Sequence, residues 1–247
     1  MFDLAGRVAL VTGAGQGVGA GIARQLAAQG AAVAVNDLLL DRAAATAASI
    51  FDEGGRTHGL SFDVSDYESV VAGVKEIESE LGPIDILVNN AGVPEQMGMK
   101  LFRDTEPVDW SRLIDINLYG VLNCCKAVID GMCDRGFGRV ITISSGAGTA
   151  GVGFGVSAYG AGKGGALSFM RNLALEVARR GVTANSLALG LMNNVPSEIL
   201  PAIEKTIPIG RAGDPEEIGA CCVYLGSNEA SWMTGQTIQL NGGSVTT

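Results

Sequence analysis

The segment that decides the fold is "RVALVTGAGQGVGAGIA", residues 7–23. It begins with a short apolar run rich in valine, which is typical of a buried strand, and it ends with helical spacing. Gly13, Gly17 and Gly19 lie between the two parts. Glycine lets the backbone turn sharply and approach a ligand, and the following helix offers unpaired N–H groups and the positive end of its dipole. The segment therefore predicts a strand, a tight turn and a helix that can hold a pyrophosphate, although the glycines alone would also suit a plain strand-to-helix turn.

The same alternation continues along the chain. Apolar runs typical of strands occupy residues 7–13, 31–37, 57–64, 84–92, 138–145, 181–189 and 235–243. Helical periodicity is found between them in residues 17–29, 66–81, 109–134, 159–179 and 215–226. Such alternation predicts a parallel sheet covered by helices on both faces, and no linker or repeat interrupts it. We expect a single domain over residues 1–247, with a Rossmann-type doubly wound α/β fold of about seven strands.

The composition narrows the range of partners. Hydrophobic residues make up 47% of the chain and charged residues only 17%, which is enough apolar material for one large core. The net charge of -9 disfavours nucleic acid and anionic membranes as partners, because few cations are available to neutralise phosphates. No apolar run approaches the ~20 residues of a membrane span, and the N-terminus lacks the basic start of a signal peptide. We expect a cytoplasmic protein.

Histidine and cysteine offer little chemistry here. His58 is the single histidine, which argues against a histidine-based triad or a metal site. No C-x-x-C pair occurs among the five cysteines, so we expect small buried apolar residues rather than disulfides or zinc ligands: Cys124, Cys125, Cys133, Cys221 and Cys222. Tyrosine and lysine remain the candidates for proton transfer, and we expect no metal.

Asp37 ends the second predicted strand, twenty residues after Gly17. At this spacing a carboxylate can accept hydrogen bonds from an adenosine ribose, and it would repel a 2'-phosphate. Neither Gln16 nor Asn36 supplies a positive charge that would welcome such a phosphate. The pattern favours NAD over NADP as cofactor, unless Asp37 is an ordinary solvated turn residue.

Six motifs together resemble one known family, the short-chain dehydrogenases/reductases in their single-domain form of roughly 250 residues. They span essentially the whole chain: "TGAGQGVG" at 12–19, "DV" at 63–64, "NNAG" at 89–92, Asn117 in "DINLYGV", Ser145 after "VITIS", and Tyr159 with Lys163 in "YGAGK". Singly these motifs are modest signals, but their order and spacing are specific. The chain is most similar in general to 3-oxoacyl thioester reductases and to dehydrogenases of cyclic or steroid alcohols.

The resemblance implies a role for each matching residue. It gives the catalytic set as Asn117, Ser145, Tyr159 and Lys163. It gives the cofactor contacts as Gly13, Gln16, Gly17, Val18, Gly19, Asp37, Asp63, Val64, Asn90, Ala91, Gly92, Tyr159, Lys163 and Met192. Within these sets, Asp63 and Val64 would lie beside the adenine, and Asn117 would position a water between Lys163 and solvent.

Tyr159 and Lys163 lie four residues apart in a helical segment, so their side chains share a face. An ammonium ~4 Å from the phenol, at an effective dielectric constant of ~20, would lower the pKa of the tyrosine by about three units. We therefore predict Tyr159 as the general acid/base of hydride transfer between an alcohol and NAD, with Ser145 bonding to the substrate oxygen. A plain exposed tyrosine–lysine pair is the alternative.

The same helix carries glycine at 160, 162, 164 and 165. Each helix-interior glycine costs ~1 kcal/mol relative to alanine, so some close contact should compensate. Such contact could be with the cofactor, or with the copy of this helix in a neighbouring subunit, as is common in the family. We expect a homo-oligomer, with a tetramer favoured and a dimer possible.

The chain also departs from the family pattern. Leu189 stands where proline is usual, and Asn194 stands where a threonine commonly contacts the nicotinamide amide. The substrate pocket should be lined by residues 94–100, 146–155 and 191–208, with Met97, Met99 and Met192 as adaptable apolar walls or as ordinary core.

We predict an NAD-dependent oxidoreductase that interconverts a secondary alcohol and a ketone. The substrates would be 3-hydroxyacyl thioesters or cyclic or steroid alcohols. The alternatives are an NADP-dependent 3-oxoacyl thioester reductase and a non-catalytic NAD-binding redox sensor.

Overall fold

The computed structural model describes residues 1–92, 98–193 and 198–246, and in these residues it contains one seven-stranded sheet. The strands are β1 (Val8–Val11), β2 (Ala32–Asn36), β3 (Thr57–Leu60), β4 (Ile86–Asn89), β5 (Gly138–Ser145), β6 (Val182–Leu189) and β7 (Thr237–Leu240). All neighbouring pairs are parallel, in the order β3-β2-β1-β4-β5-β6-β7. This confirms the predicted fold. The order reverses between β1 and β4, and ligands of open α/β sheets bind at such a reversal, beyond the carboxyl ends of the strands.

Helices cover both faces of the sheet. They are α1 (Gly17–Ala28), α2 (Leu40–Asp52), α3 (Tyr67–Glu80), α4 (Pro107–Ile114), α5 (Gly120–Arg135), α6 (Gly146–Thr149), α7 (Ser157–Val177), α8 (Leu200–Glu204) and α9 (Pro215–Gly226). Short 3-10 turns occur at Phe102–Asp104, Ala178–Arg180 and Asn228–Ala230. No helix in the described ranges is long and apolar enough to cross a bilayer.

The core consists of two apolar layers, one on each face of the sheet. One layer packs α3, α5 and α7 against strand residues such as Leu10 and Val140. The other layer packs α1, α2 and α9 against Val11 and Ile141, the residues that follow Leu10 and Val140 along the strands. Successive strand side chains point to opposite faces, so strands buried on both sides read as continuous apolar runs. That is why the strand pattern was visible in the sequence.

The helix expected over residues 109–134 is divided in the structure. A π-helical turn, Asp115–Tyr119, separates α4 from α5. Such a turn widens the helix locally and often marks a functional site. Here it carries Asn117, which is fully buried. Hydrophobic periodicity continues through the turn, so the sequence pattern gave no sign of it.

The cysteines are interior residues, as expected from the sequence. Cys124, Cys125 and Cys222 are buried, and Cys133 and Cys221 are partly buried. All five thiols are free. Burial raises the pKa of the Cys125 thiol to about 12, so this group stays protonated and unreactive near neutral pH.

Candidate active site

The glycine loop between β1 and α1 is shaped for close approach. Gly13 and Gly17 have φ values of +61° and +54°, a region that strongly favours glycine. A Cβ on Gly13 would lie 2.8 Å from the Cα of Ala91. Gln16 caps α1 in an extended conformation without a side-chain hydrogen bond, so the first N–H groups of the helix remain available. This arrangement fits a dinucleotide diphosphate.

Thr12 joins the glycine loop to the end of β4. Its Oγ1 accepts hydrogen bonds from the backbone N–H of Asn90 at 3.1 Å and of Ala91 at 3.2 Å. The Asn90 side-chain nitrogen donates to the carbonyls of Thr12 at 3.0 Å and Gly13 at 2.9 Å. Asn90 therefore fixes the glycine loop, and its contact with a cofactor stays a prediction. The role of Thr12 was not predicted from the sequence, because it depends on β1 and β4 lying side by side.

Asp37 is fixed at the edge of the crevice. Only 8% of it is exposed, and its two carboxylate oxygens accept from the N–H groups of Gly15 and Leu39, each at 3.1 Å. A Cβ on Gly15 would lie 2.7 Å from Asp37 Oδ2 and 2.5 Å from the Cβ of Arg42. Arg42 thus begins beside Asp37 and the glycine loop. It was not predicted from the sequence, because its approach to Gly15 depends on how α2 packs beside the loop.

Asp63 and Val64 follow β3 on the same edge of the sheet. The Asp63 carboxylate accepts from the backbone N–H of Ser65 at 2.9 Å and from its hydroxyl at 2.7 Å. The carbonyl of Val64 accepts from the side chain of Asn123 at 2.9 Å. These bonds fix the wall of the crevice on the side where the resemblance puts the adenine.

Lys163, Asn117 and Gly92 meet at the centre of the crevice. Lys163 is 3% exposed, and its Nζ donates to the carbonyl of Ile143 at 2.7 Å. A Cβ on Gly92 would lie 2.7 Å from Lys163 Nζ and 2.9 Å from Asn117 Oδ1. Only a glycine at position 92 leaves space for the two polar groups. Burial lowers the pKa of Lys163 to about 8.

Asn117 has one unused acceptor. Its side-chain nitrogen donates to the carbonyl of Leu113 at 2.9 Å, but its Oδ1 is buried without a hydrogen-bond partner among the described residues. A buried polar atom without a partner calls for a bound water or ligand group. The water that the resemblance implies beside Lys163 fits this observation.

Ser145 and Tyr159 complete the set. Ser145 ends β5 and its Oγ accepts from the backbone N–H of Ala147 at 3.2 Å. Burial is the larger influence on Tyr159 and raises its pKa, while its hydrogen bond with Ser145 acts in the opposite direction. Lys163 Nζ lies 5.8 Å from the centre of the tyrosine ring. The expected depression of the Tyr159 pKa by a nearby ammonium is wrong for the protein alone, because desolvation of the phenol outweighs a cation at this distance.

The glycines of α7 make contacts inside the chain. A Cβ on Gly160 would lie 2.8 Å from the carbonyl oxygen of Ala147, and one on Gly162 would lie 2.9 Å from the Cβ of Asn117. An added Cβ on Gly164 would lie 3.3 Å from the carbonyl oxygen of Gly148, and one on Gly165 would lie 3.3 Å from the side chain of Leu118. The glycines thus explain how α7 reaches α6 and the π-helical turn, and they no longer argue for a subunit interface. The homo-oligomer stays a prediction.

The expected substrate side of the crevice is only partly described. Residues 94–97, with Met97, and 194–197, with Asn194, lie outside the described residues. Met192 forms a parallel bridge with Gly213 and borders a cavity of about 250 Å³ whose apolar walls include Ile207, Ile209 and Leu240. Leu189, the replacement for the usual proline, ends β6 in regular pairing with Leu240. Met99 is largely exposed, so in the protein alone it is not ordinary core.

Known proteins match this chain over nearly its full length. The family model described as enoyl-(acyl carrier protein) reductase matches residues 13–245. Acetoacetyl-CoA reductase of Rhizobium meliloti is 40% identical over 243 residues, covering 96% of this chain and 98% of the relative. The 3-oxoacyl-(acyl-carrier-protein) reductase FabG of Vibrio harveyi is 39% identical over 247 residues, covering 98% of each.

Solved structures agree with the sequence comparison. A short-chain type dehydrogenase/reductase from Mycobacterium marinum superposes with a TM-score of 0.93 at 32% identity, covering 100% of this chain and 98% of the other. A gluconate 5-dehydrogenase from Burkholderia cenocepacia, solved in complex with NADP and tartrate, gives 0.90 at 35% identity, covering 98% and 96%.

Proposed function

Because the chain belongs to the short-chain dehydrogenase/reductase family and is therefore an oxidoreductase, we propose that it reduces 3-oxoacyl thioesters to 3-hydroxyacyl thioesters. The observation that carries the chemistry is the hydrogen bond between Ser145 and Tyr159 beside the buried Lys163, which places a protonated phenol where it can donate to a ketone oxygen. The direction of reduction is supported by the similarity to two reductases. The substrate class is supported by similarity to acetoacetyl-CoA reductase and 3-oxoacyl-(acyl-carrier-protein) reductase. This reductase activity corresponds to the alternative given in the sequence analysis, although 3-hydroxyacyl thioesters were also among the substrates of the main prediction.

The family requires a nicotinamide dinucleotide, which supplies the hydride when bound. The glycine loop with Gly13 and Gly17, together with the N-terminus of α1, would hold the diphosphate. Asp37, held by two backbone N–H groups, would accept hydrogen bonds from the ribose. These groups supply the donors and the space that such a cofactor needs.

In the proposed reaction, Ser145 and Tyr159 bind the ketone oxygen, and Tyr159 donates its proton to that oxygen as the carbonyl carbon is reduced. Lys163 stabilises the phenolate that remains, since an ammonium with a pKa of about 8 is largely charged at neutral pH. The phenolate then takes a proton from Lys163, and Lys163 recovers one from solvent through the water that Asn117 Oδ1 would hold. Each turnover takes up one proton from solvent and leaves the protein unchanged.

We propose NAD(H) as the preferred cofactor, because the Asp37 carboxylate would repel a 2'-phosphate. NADP(H) is the second candidate. Arg42 favours it because this cationic residue begins beside Asp37 and the glycine loop, and one similar structure was solved with NADP. Replacement of Asp37 by serine should therefore shift preference toward NADPH.

The test is steady-state reduction of acetoacetyl-CoA, followed at the absorbance of the reduced nicotinamide, with NADH and NADPH in parallel. Cyclohexanone serves as a ketone without a thioester. We expect turnover of the thioester with NADH and little turnover of cyclohexanone. Turnover of cyclic ketones alone would refute the substrate class. NAD binding without turnover of any ketone would favour the redox sensor.

A further inference from the structure

Arg139 is a buried cation far from the crevice. It is the second residue of β5, at the amino edge of the sheet, and only 4% of it is exposed. Its Nε donates to the carbonyl of Ser227 at 3.2 Å, and its Nη1 donates to the carbonyls of Gly138 at 2.9 Å and Gly181 at 3.3 Å. Within the described ranges, Nη2 donates to no protein acceptor, and it is not sealed from solvent. One edge of the guanidinium therefore remains free.

The charge of Arg139 is not balanced nearby. No carboxylate of the described residues lies within 4 Å of the Arg139 guanidinium. Its charged neighbour is Arg7. The guanidinium carbon of Arg139 lies 4.3 Å from the centre of the Phe137 ring, and that of Arg7 lies 3.5 Å from it. The acid of this region, Asp85, already pairs with Arg7 at 3.9 Å and with Arg135 at 3.8 Å. Two guanidinium groups thus already share this carboxylate, and it does not pair with Arg139. A desolvated cation without a counter-ion is unfavourable, and an anion beside it would restore the balance.

A cavity of about 350 Å³ opens beside Arg139. Arg139 and Thr183 are register partners on β5 and β6, so their side chains leave the same face of the sheet and both line the cavity. The hydroxyls of Thr183 and Ser231 make no hydrogen bond within the part of the chain that the structure describes. The rest of the wall is mostly apolar, and Trp232, 99% exposed, stands at its rim.

We propose that this cavity is a binding site for a small carboxylate with an apolar body. The carboxylate accepts from the free edge of Arg139 and from the hydroxyl of Thr183, and the apolar body packs against Trp232. A single planar guanidinium matches a carboxylate in charge and shape, whereas a phosphate would need further cations that the cavity does not offer. The volume falls in the range of small-molecule sites, about 300 to 1,000 Å³. The site lies at the opposite edge of the sheet from the candidate active site.

The test uses hexanoate as probe and hexanamide as its neutral counterpart. The chain has two tryptophans, so Trp110→Phe leaves Trp232 as the reporter of fluorescence. We expect saturable quenching by hexanoate and none by hexanamide. Arg139→Lys keeps the charge but loses the fork, and it should weaken binding about tenfold. Thr183→Val should weaken it several-fold, whereas Arg179→Lys, which is exposed and outside the cavity, should have no effect. Ligand-observed NMR on the unmodified protein provides a second measure of binding.

Equal binding of hexanoate and hexanamide would overturn the proposal, and so would equal or stronger binding of inorganic phosphate. Unchanged hexanoate affinity in Thr183→Val would also overturn it. That variant is the deciding one if Arg139→Lys does not fold. Sedimentation measures whether the protein self-associates, and acrylamide quenching measures whether Trp232 is exposed. If the protein self-associates and Trp232 is shielded from acrylamide, a second copy covers the cavity and the small-molecule site is refuted.

Discussion

Two helices of this protein begin in glycine-rich sequence, and the two beginnings are built for different contacts. At the start of α1, Gly13 and Gly17 take positive φ values and the helix cap has no side-chain hydrogen bond. At the start of α7, none of the four glycines has a positive φ, and each faces a neighbouring part of the same chain. The first set turns the backbone sharply and leaves unpaired donors at the start of the helix. The second brings α7 against the segments that carry Ser145 and Asn117.

The comparison shows that glycine content alone does not identify a ligand contact. The sign of φ separates the two cases, whereas an added Cβ would meet atoms of the same chain in both sets. The two helix starts should also have different roles. The start of α1 would determine whether a dinucleotide binds, whereas α7 would determine whether bound reactants turn over.

The largest expected effect is that of Tyr159→Phe. Loss of the proton donor should lower kcat by about 10² to 10⁴-fold while the dissociation constant of NAD stays unchanged. Steady-state kinetics and calorimetric titration measure the two quantities. Tyr67→Phe, at the start of α3, is the matched control. Retained turnover, or parallel loss of cofactor binding, would break the division of work between α7 and α1.

Gly19→Ala should produce the converse pattern. Its Cβ would lie 2.8 Å from the Cα of Ala14 and would overlap the Gly13 carbonyl oxygen, so the glycine loop must shift. We expect a loss of about 1 to 3 kcal/mol in the free energy of unfolding, with clearly weaker NAD binding. Gly98→Ala, where an added Cβ meets no atom of the described residues within 4 Å, controls for the substitution itself. Unchanged NAD affinity would show that the loop does not hold the diphosphate.

Gly160→Ala tests the other set of glycines. An added Cβ would crowd the backbone of Ala147, two residues from Ser145, and overpacking of this kind costs about 1 to 3 kcal/mol. Helix propensity returns about 1 kcal/mol, so the net destabilisation should be about 0 to 2 kcal/mol. Urea unfolding and kinetics together decide. We expect kcat to fall with little change in NAD affinity, and weakened NAD binding at unchanged kcat would contradict the role given to α7.

The pH dependence of stability tests the buried ammonium of α7. Burial lowers the pKa of Lys163 to about 8, from an ordinary value of 10.5. Between these values the unfolded chain binds more protons than the folded protein, so the free energy of unfolding rises with pH. From about pH 8 to 10, the free energy of unfolding of the wild type should rise relative to that of Lys163→Met by up to about 1.4 kcal/mol per pH unit. The raised pKa of Tyr159 acts in the opposite sense only above about pH 10. A difference between the two proteins that does not vary with pH would show that Lys163 is not desolvated.

The smallest expected effect is that of Gly165→Ala. Its Cβ would lie 3.3 Å from the flexible end of Leu118, which can yield slightly. Helix propensity should then balance the crowding, and the change in unfolding free energy should stay within about 1 kcal/mol of zero. Urea unfolding beside Gly160→Ala checks this. A loss as large as that of Gly160→Ala would mean that α7 is equally constrained on both sides.

Much of the molecule followed from the sequence. Apolar runs and helical spacing gave the parallel sheet and its two covering layers, because strands buried on both faces have a distinct pattern. The motifs identified the family, which the comparisons confirm. The π-helical turn, Thr12 and Arg42 were missed, since each depends on which segments lie side by side.

The sequence by itself determined the alternation of strands and helices, and hence that Asp37, Ser145 and the glycine loop lie at one edge of a sheet. The tertiary structure alone decided the direction of the Tyr159 pKa, the intrachain role of the α7 glycines and the uncompensated charge of Arg139. The physical reason is that periodicity is a local property of the chain. Desolvation, close contact and charge balance depend on neighbours that only folding brings together.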